Sequence, residues 1–237
     1  MSETNLFGYF GIFKILIGIR GSIMHFLRRC ITKLKSYTAL IYRKEVIEQM
    51  RCKNEVEHVS IISSNCIGGI LSHDLGIRFE SPTINLFFSA NDFIKFVKNL
   101  KYYLSIDFDY FEKSERGGGY PVGHLEDITI HFVHYKTEEE CKEKWNRRKL
   151  RVDFDNILLI FTDRNGLTTE MLQEFLNLPY KKLVYVSKKE MCITNECIYV
   201  PGFEKEKNVG EMDKYADWTG HRYYEKYVDI VGWLNSK

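Results

Sequence analysis

At 237 residues, with 44% hydrophobic and 28% charged residues, the chain is sized for one large α/β domain or one domain with an appendage, which excludes global disorder. The net charge of +2 conceals a split, because residues 1–54 hold ten Lys and Arg against three Glu while the remainder is mildly acidic. The body has no basic stripe with interleaved aromatics, so nucleic acid is excluded as a partner.

The basic arm comes first. Apolar residues fall at helical spacing at Ile12, Ile15, Leu16, Ile19, Ile23, Phe26, Leu27, Ile31 and Leu34, with Lys and Arg on much of the remaining circumference. No uninterrupted apolar stretch reaches the roughly 18 to 20 residues of a spanning helix. The pattern predicts an amphipathic helix whose residues 12–35 lie in the plane of an anionic membrane. The alternatives are a helix packed on the body or a dimerisation helix.

From residue 57 strands and helices alternate. The spacing predicts a strand over 59–63, then a helix over 68–75 closed by Gly76. A second strand, 84–88, leads into a helix opened by Ser89 with Asp92 three positions on. A short strand over 108–111, a flexible GGGYPVG turn at 117–123 and an alternating strand over 127–135 follow. Thr137 with Glu140 opens a charged helix, and 157–161 is a continuous apolar strand suited to a covered sheet. A helix over 170–178, strands over 183–186 and 198–200, and a terminal helix over 223–234 complete the chain. This order predicts an α/β fold: a three-layer α/β/α arrangement around a mostly parallel, Rossmann-like sheet, with 127–135 as an antiparallel edge. The expected organisation is an arm over 1–54 and a single α/β domain over 55–237.

Ligand crevices in open α/β sheets lie beyond the carboxyl ends of the strands. After the first strand come Ser63, Ser64, Asn65, Cys66, Gly68 and Gly69, with His73 and Asp74 further along the helix. His134 follows the alternating strand, and Asp163 and Arg164 follow the apolar one. A thiol at a helix start has its pKa lowered by the helix dipole, so Cys66 is a candidate nucleophile with His73 or His134 as base and Asp163 as orienter. The alternative is a small residue in a tight corner. Gly68 and Gly69 permit close backbone approach, so with Asn65 they form a candidate ligand-cradling turn, although no Walker A or G-x-G-x-x-G spacing is present. Ser63, Ser64, Asp74 and Arg164 complete the candidate substrate contacts. The six cysteines show no metal-ligand spacing, so no metal is expected, and they read as reduced thiols of a cytoplasmic protein.

The segments ISSNCIGGILSHDLG, FESPTINLFFSANDFIKFVKNLKYYL, YPVGHLEDITIHFVHYKTEEECKEKWNRRK and DNILLIFTDRNG resemble a bacterial family of unknown function, the DUF1919 family. Its members are often labelled exopolysaccharide biosynthesis proteins. The later YVPGF and YVDIVGWLN are similar too, so the resemblance covers roughly residues 57–235. The family's usual Ser-Asn-Asn-Cys stands here as Ser63-Ser64-Asn65-Cys66, which weakens any role for an amide at position 64. The resemblance implies a part in building surface polysaccharide. The leading expectation is a transferase that moves an acyl group onto a glycan or lipid-linked glycan precursor, with acyl-CoA as co-substrate. The alternatives are a glycosyltransferase using a nucleotide sugar and a non-catalytic assembly component. The expected location is the cytoplasm, peripheral on the inner face of the cell membrane.

Overall fold

The computed structural model describes residues 4–236, with residues 4–25 and 28 described by backbone alone. The chain divides into two units: residues up to 46 together with 215–221, and residues 47–214 together with those from 222 on.

The first unit is dominated by helix α1 (Thr4–Lys53), which continues into the second. Lys35 Nζ donates to the Ala216 carbonyl at 2.7 Å, and Arg43 Nη1 donates to the Gly220 carbonyl at 3.1 Å. Gly220 has φ of 84°, and a Cβ there would meet the backbone of Arg43 and Ala39 at 2.8 and 2.9 Å. Glycine is therefore what lets the 215–221 loop cross the helix backbone. Ala39 and Arg43 are buried, whereas Phe26, Ile31, Leu34, Tyr37 and Ile41 are exposed. The Ile12, Ile15, Leu16, Ile19 and Ile23 portion of the expected amphipathic face lies outside the residues with described side chains. Among the described residues, no helix is long and apolar enough to cross a membrane.

The second unit is mixed α/β. Strand β1 (Ser60–Ser63) is followed by α2 (Ile67–Leu75), β2 (Phe87–Phe88), α3 (Ala90–Lys98) and α4 (Leu100–Ser105). The antiparallel strands β3 (Tyr110–Lys113), β4 (Pro121–Leu125) and β5 (Ile128–His131) come next, then α5 (Glu138–Lys149). Strand β6 (Ile157–Thr162), α6 (Thr169–Leu176), β7 (Lys181–Val186), β8 (Cys197–Tyr199), α7 (Tyr223–Lys226) and α8 (Ile230–Asn235) complete it. The helix starts follow local chemistry: Ser89, Thr137 and Thr168 each accept from the backbone N–H three residues on.

The strands form two sheets where one was expected. A parallel sheet has the order β1-β6-β7-β8, and a separate antiparallel sheet has the order β2-β5-β4-β3. The GGGYPVG segment, expected as a turn, supplies β4. Gly117, Gly118 and Gly119 take positive φ and make the loop, after which Pro121 pairs with Lys113 and Val122 with His131. The alternating segment stops being a strand at His131, and the terminal helix is two short ones.

One aromatic core serves both sheets. Phe93 of α3 lies 5.7 Å from Phe88 of the antiparallel sheet and 5.0 Å from Phe161 of the parallel sheet. Ser64 O accepts from Phe88 N at 3.0 Å, tying the exit of β1 directly to β2.

Candidate functional site

The parallel order makes β1 and β6 neighbours, so their carboxyl ends open on one rim. Asn65 spans that rim. Its Oδ1 accepts from Ile67 N at 3.1 Å, and its Nδ2 donates to Thr162 Oγ1 at 3.2 Å. Asn165, in the left-handed region with φ of 60°, has its carbonyl accepting from Ala90 N and its amide donating to Phe88 O. Between these anchors opens a cavity of about 400 Å³.

Four side chains singled out by sequence line the cavity or its mouth: Asn65, Cys66, His134 and Arg164. Ile67, Ile70, Phe87, Val133 and Met212 make its apolar wall. Asn165, Glu211, Asp213 and Lys214 add polar groups from two loops. The arrangement presents amides, both signs of charge, an imidazole, a thiol and an aromatic ring. That mixture of apolar wall and a few polar groups suits an organic ligand rich in hydroxyls or bearing an anionic group.

The other sequence candidates lie outside this lining. Ser63 is fully buried: its Oγ accepts from Gly68 N at 3.0 Å and donates to the Asn65 carbonyl. Ser64 is buried with its backbone bonded to Ile160 O and Phe88 N. Gly68 and Gly69 pack against protein and do not line the cavity. A Cβ on Gly68 would sit 2.7 Å from Ser63 Oγ, and one on Gly69 would sit 3.1 Å from Ile84 Cγ2. The pair lets α2 lie close against β1 and the segment leading to β2. His73 is exposed on α2, with Nδ1 3.5 Å from Asp74 Oδ1. Asp74 is buried, accepts from Tyr224 OH at 2.9 Å and lies 3.7 Å from Arg222 Nε.

Asp163 is also buried and accepts three hydrogen bonds. Its Oδ2 accepts from Ser187 N at 2.7 Å and Ser187 Oγ at 2.6 Å, and its Oδ1 accepts from Val209 N at 2.7 Å. It thus fastens β6, the exit of β7 and the start of the 209–214 segment that supplies Glu211, Met212, Asp213 and Lys214 to the cavity. That segment was missed from sequence because it is irregular. Its signal was topological: the loop after β8 leaves from the same rim as the loops after β1 and β6.

The thiol differs from its expected state. Burial, with the nearby Asp213 carboxylate, pushes Cys66 up to about 11, against the opposing pull of Arg164. Desolvation outweighs the helix dipole, so the resting group is a thiol. Its Sγ faces the Leu86 carbonyl at 3.9 Å.

Beside the cavity, Phe87 stacks on His131 with ring centroids 4.4 Å apart. Burial, with the charges of Arg116 and His124, pushes His131 from 6.5 down to about 4. Between those values the unfolded chain binds more protons than the folded one, so stability falls as pH drops through that window. Wild type is expected to lose about 1 to 2 kcal/mol between pH 7 and pH 5 that His131→Phe does not lose, read by urea unfolding at both pH values. Parallel losses in both proteins would contradict a half-buried, neutral imidazole.

Among the described residues, no group of three or more His, Cys, Asp or Glu side chains is placed to hold a metal ion. An uncharacterized protein of Haemophilus influenzae is 37% identical over 205 residues, an alignment covering 86% of this chain and 97% of that protein. Residues 37–235 match the model described as domain of unknown function DUF1919, and the chain belongs to that family.

Proposed function

We propose that the protein is a transferase of bacterial surface-polysaccharide synthesis, seating a glycan or lipid-linked glycan precursor in the cavity at the ends of β1 and β6. The observation that carries this reading is the meeting of Asn65, Cys66, His134 and Arg164, from three strand exits, around one partly apolar cavity. The parallel sheet with its helices is read as the core of a three-layer Rossmann-like arrangement, in which ligands gather at this rim. Acyl transfer is the reaction read first. The His134 imidazole takes the proton from Cys66 as sulfur attacks an acyl-CoA carbonyl, and the departing CoA sulfur takes that proton. A sugar hydroxyl then attacks the enzyme thioester, its oxygen takes the acyl group, and its proton returns to Cys66. The exposed apolar residues of α1, with Arg29, Lys33 and Lys44 on the same helix, are read as resting on an anionic membrane at the inner face of the cell membrane.

The raised Cys66 pKa favours a second reading. In it the thiol is structural, and Arg164 and Lys214 contact the phosphates of a nucleotide sugar in a glycosyl transfer. Thermal-shift titration with acyl-CoA donors and nucleotide sugars separates the two. Acyl transfer predicts stabilisation by acyl-CoA and, by intact mass, an acyl adduct that Cys66→Ala abolishes. Stabilisation by nucleotide sugars alone replaces it with glycosyl transfer, and a response to neither removes support for the transferase reading.

A further inference from the structure

Transfer in the cavity moves two protons, one from Cys66 and one from the acceptor hydroxyl, and His134 serves only the first. Asp163, the carboxylate expected beside the thiol, is engaged by Ser187 and Val209. Two other carboxylates line the cavity, Glu211 and Asp213. Glu211 Oε2 lies 3.3 Å from Lys214 Nζ, so those two pair. Asp213 differs: among the described residues its side chain makes no hydrogen bond or ion pair, and neither does that of Arg164, which also lines the cavity. Both lie near enough to Cys66 to act on it in opposite senses.

The backbone holds these two charges in place. Arg164 follows Asp163, whose N–H donates to the Tyr185 carbonyl at 2.9 Å and whose carboxylate accepts from Val209 N at 2.7 Å. Beyond Val209, the Met212 carbonyl accepts from Tyr224 N at 3.2 Å, and the Lys214 carbonyl accepts from Tyr223 N at 3.1 Å. Asp213 thus sits between two residues fastened to the 223–224 segment. Tyr224 is fully buried, and its OH donates to the buried Asp74 at 2.9 Å. All of these residues belong to the second unit. Opposite charges in a partly apolar cavity gain by pairing, and both lose water when a ligand fills it. A backbone that keeps them unpaired leaves each with bonds to offer a ligand. Asp213 can accept from a hydroxyl, and Arg164 can donate to an anion.

We propose that Asp213 is the general base for the acceptor hydroxyl and that Arg164 holds the phosphate portion of the donor. The assignment rests on the reading of the cavity as a transferase site. In acyl transfer the hydroxyl oxygen bonds to the thioester carbon as its proton passes to an Asp213 oxygen. The C–S bond breaks with its electrons on sulfur, and the Cys66 thiolate then takes the proton from Asp213. In glycosyl transfer the oxygen bonds to the anomeric carbon, and the bond to the donor phosphate breaks with its electrons on the phosphate beside Arg164. Asp213 then releases its proton to water.

The full-length protein is offered acetyl-CoA and a panel of nucleotide sugars, each with oligosaccharides from partial acid hydrolysis of bacterial capsular polysaccharides. Products are followed by mass spectrometry across pH. Asp213→Asn is expected to lower kcat about a hundredfold or more, the scale of a lost general base, with donor KM little changed. It also removes the fall of kcat on acidification that protonating a carboxylate base produces. Asp213→Glu, which keeps the carboxylate, recovers part of the rate, and Arg164→Ala raises donor KM about tenfold. An Asp213→Asn variant that keeps wild-type kcat and pH dependence overturns the base assignment and leaves the transferase reading standing. Equal losses in the Asn and Glu variants, with the pH dependence unchanged, make the residue structural and overturn it likewise. Unchanged donor KM in Arg164→Ala overturns the phosphate contact. Transfer by wild type from no donor to any acceptor overturns the transferase reading and the assignment with it.

Discussion

Asp163→Ala is expected to lower folding stability by about 3 to 5 kcal/mol, the scale for leaving two buried N–H groups without an acceptor. The carboxylate is 6% exposed and answers three donors: the Ser187 amide, the Ser187 hydroxyl and the Val209 amide. Alanine leaves the backbone N–H groups of Ser187 and Val209, both buried, without the acceptor they use. Asparagine is not a rescue. Its single carbonyl can answer one side of the bracket, while its NH₂ faces donors on the other, so a loss of about 2 kcal/mol is expected. Urea unfolding read by circular dichroism measures both. The variants that remain folded in mild conditions should also lose ligand-induced stabilisation, because the 209–214 segment is no longer fastened to the rim. A loss below about 1 kcal/mol for alanine would mean that Asp163 does not bracket these elements.

Trp145→Ala is expected to cost about 3 to 5 kcal/mol, while Trp145→Phe costs less than about 1.5 kcal/mol. Trp145 is 1% exposed on α5 and packs against Phe108 at 5.3 Å, Phe96 at 5.9 Å and Phe132 at 6.3 Å. Its ring therefore joins α5 to α3 and to the antiparallel sheet. Alanine leaves a cavity in a core of rings that cannot collapse without moving two elements. Phenylalanine loses area but also removes an indole N–H that is buried without a partner, so the two effects oppose. Equal losses in both variants, again by urea unfolding, would contradict this balance.

Local chemistry was legible in the sequence wherever it acts over a few residues. Ser89, Thr137 and Thr168 announce their helices, and the apolar run at Ile157–Thr162 announces a covered strand. The division into two sheets was not legible, because alternation shows which face of a strand is buried and says nothing of its partner. Strand β2 is only Phe87–Phe88, and β4 begins at a proline and contains Gly123, a composition that reads as a turn. Gly123 is in fact required there: a Cβ would come within 2.8 Å of the Phe108 ring.

The site divides along the same line. Asn65, Cys66, His134 and Arg164 follow strand ends, and the rule for open sheets finds them without coordinates. Gly68 and Gly69 illustrate a signal with two meanings, since a glycine pair serves a ligand or a neighbouring element equally well in sequence. A Cβ on Gly68 would come within 2.7 Å of Ser63 Oγ, which accounts for this glycine by the neighbouring strand. The Cys66 thiol needed burial to be known, because a dipole at a helix start and a dry environment push in opposite directions. Glu211, Asp213 and Lys214 depend on a bond from Asp163 to Val209, 46 residues apart, which no local pattern encodes.

The central claim is that ligand enters the cavity where β1 and β6 end. Hydrogen–deuterium exchange with and without the donor that stabilises the protein tests it most directly. The account predicts slowed exchange in residues 65–70, 87–90 and 209–214, with the outer surface of α6 unchanged. Slowed exchange confined to other segments, with these three unaltered, would contradict it.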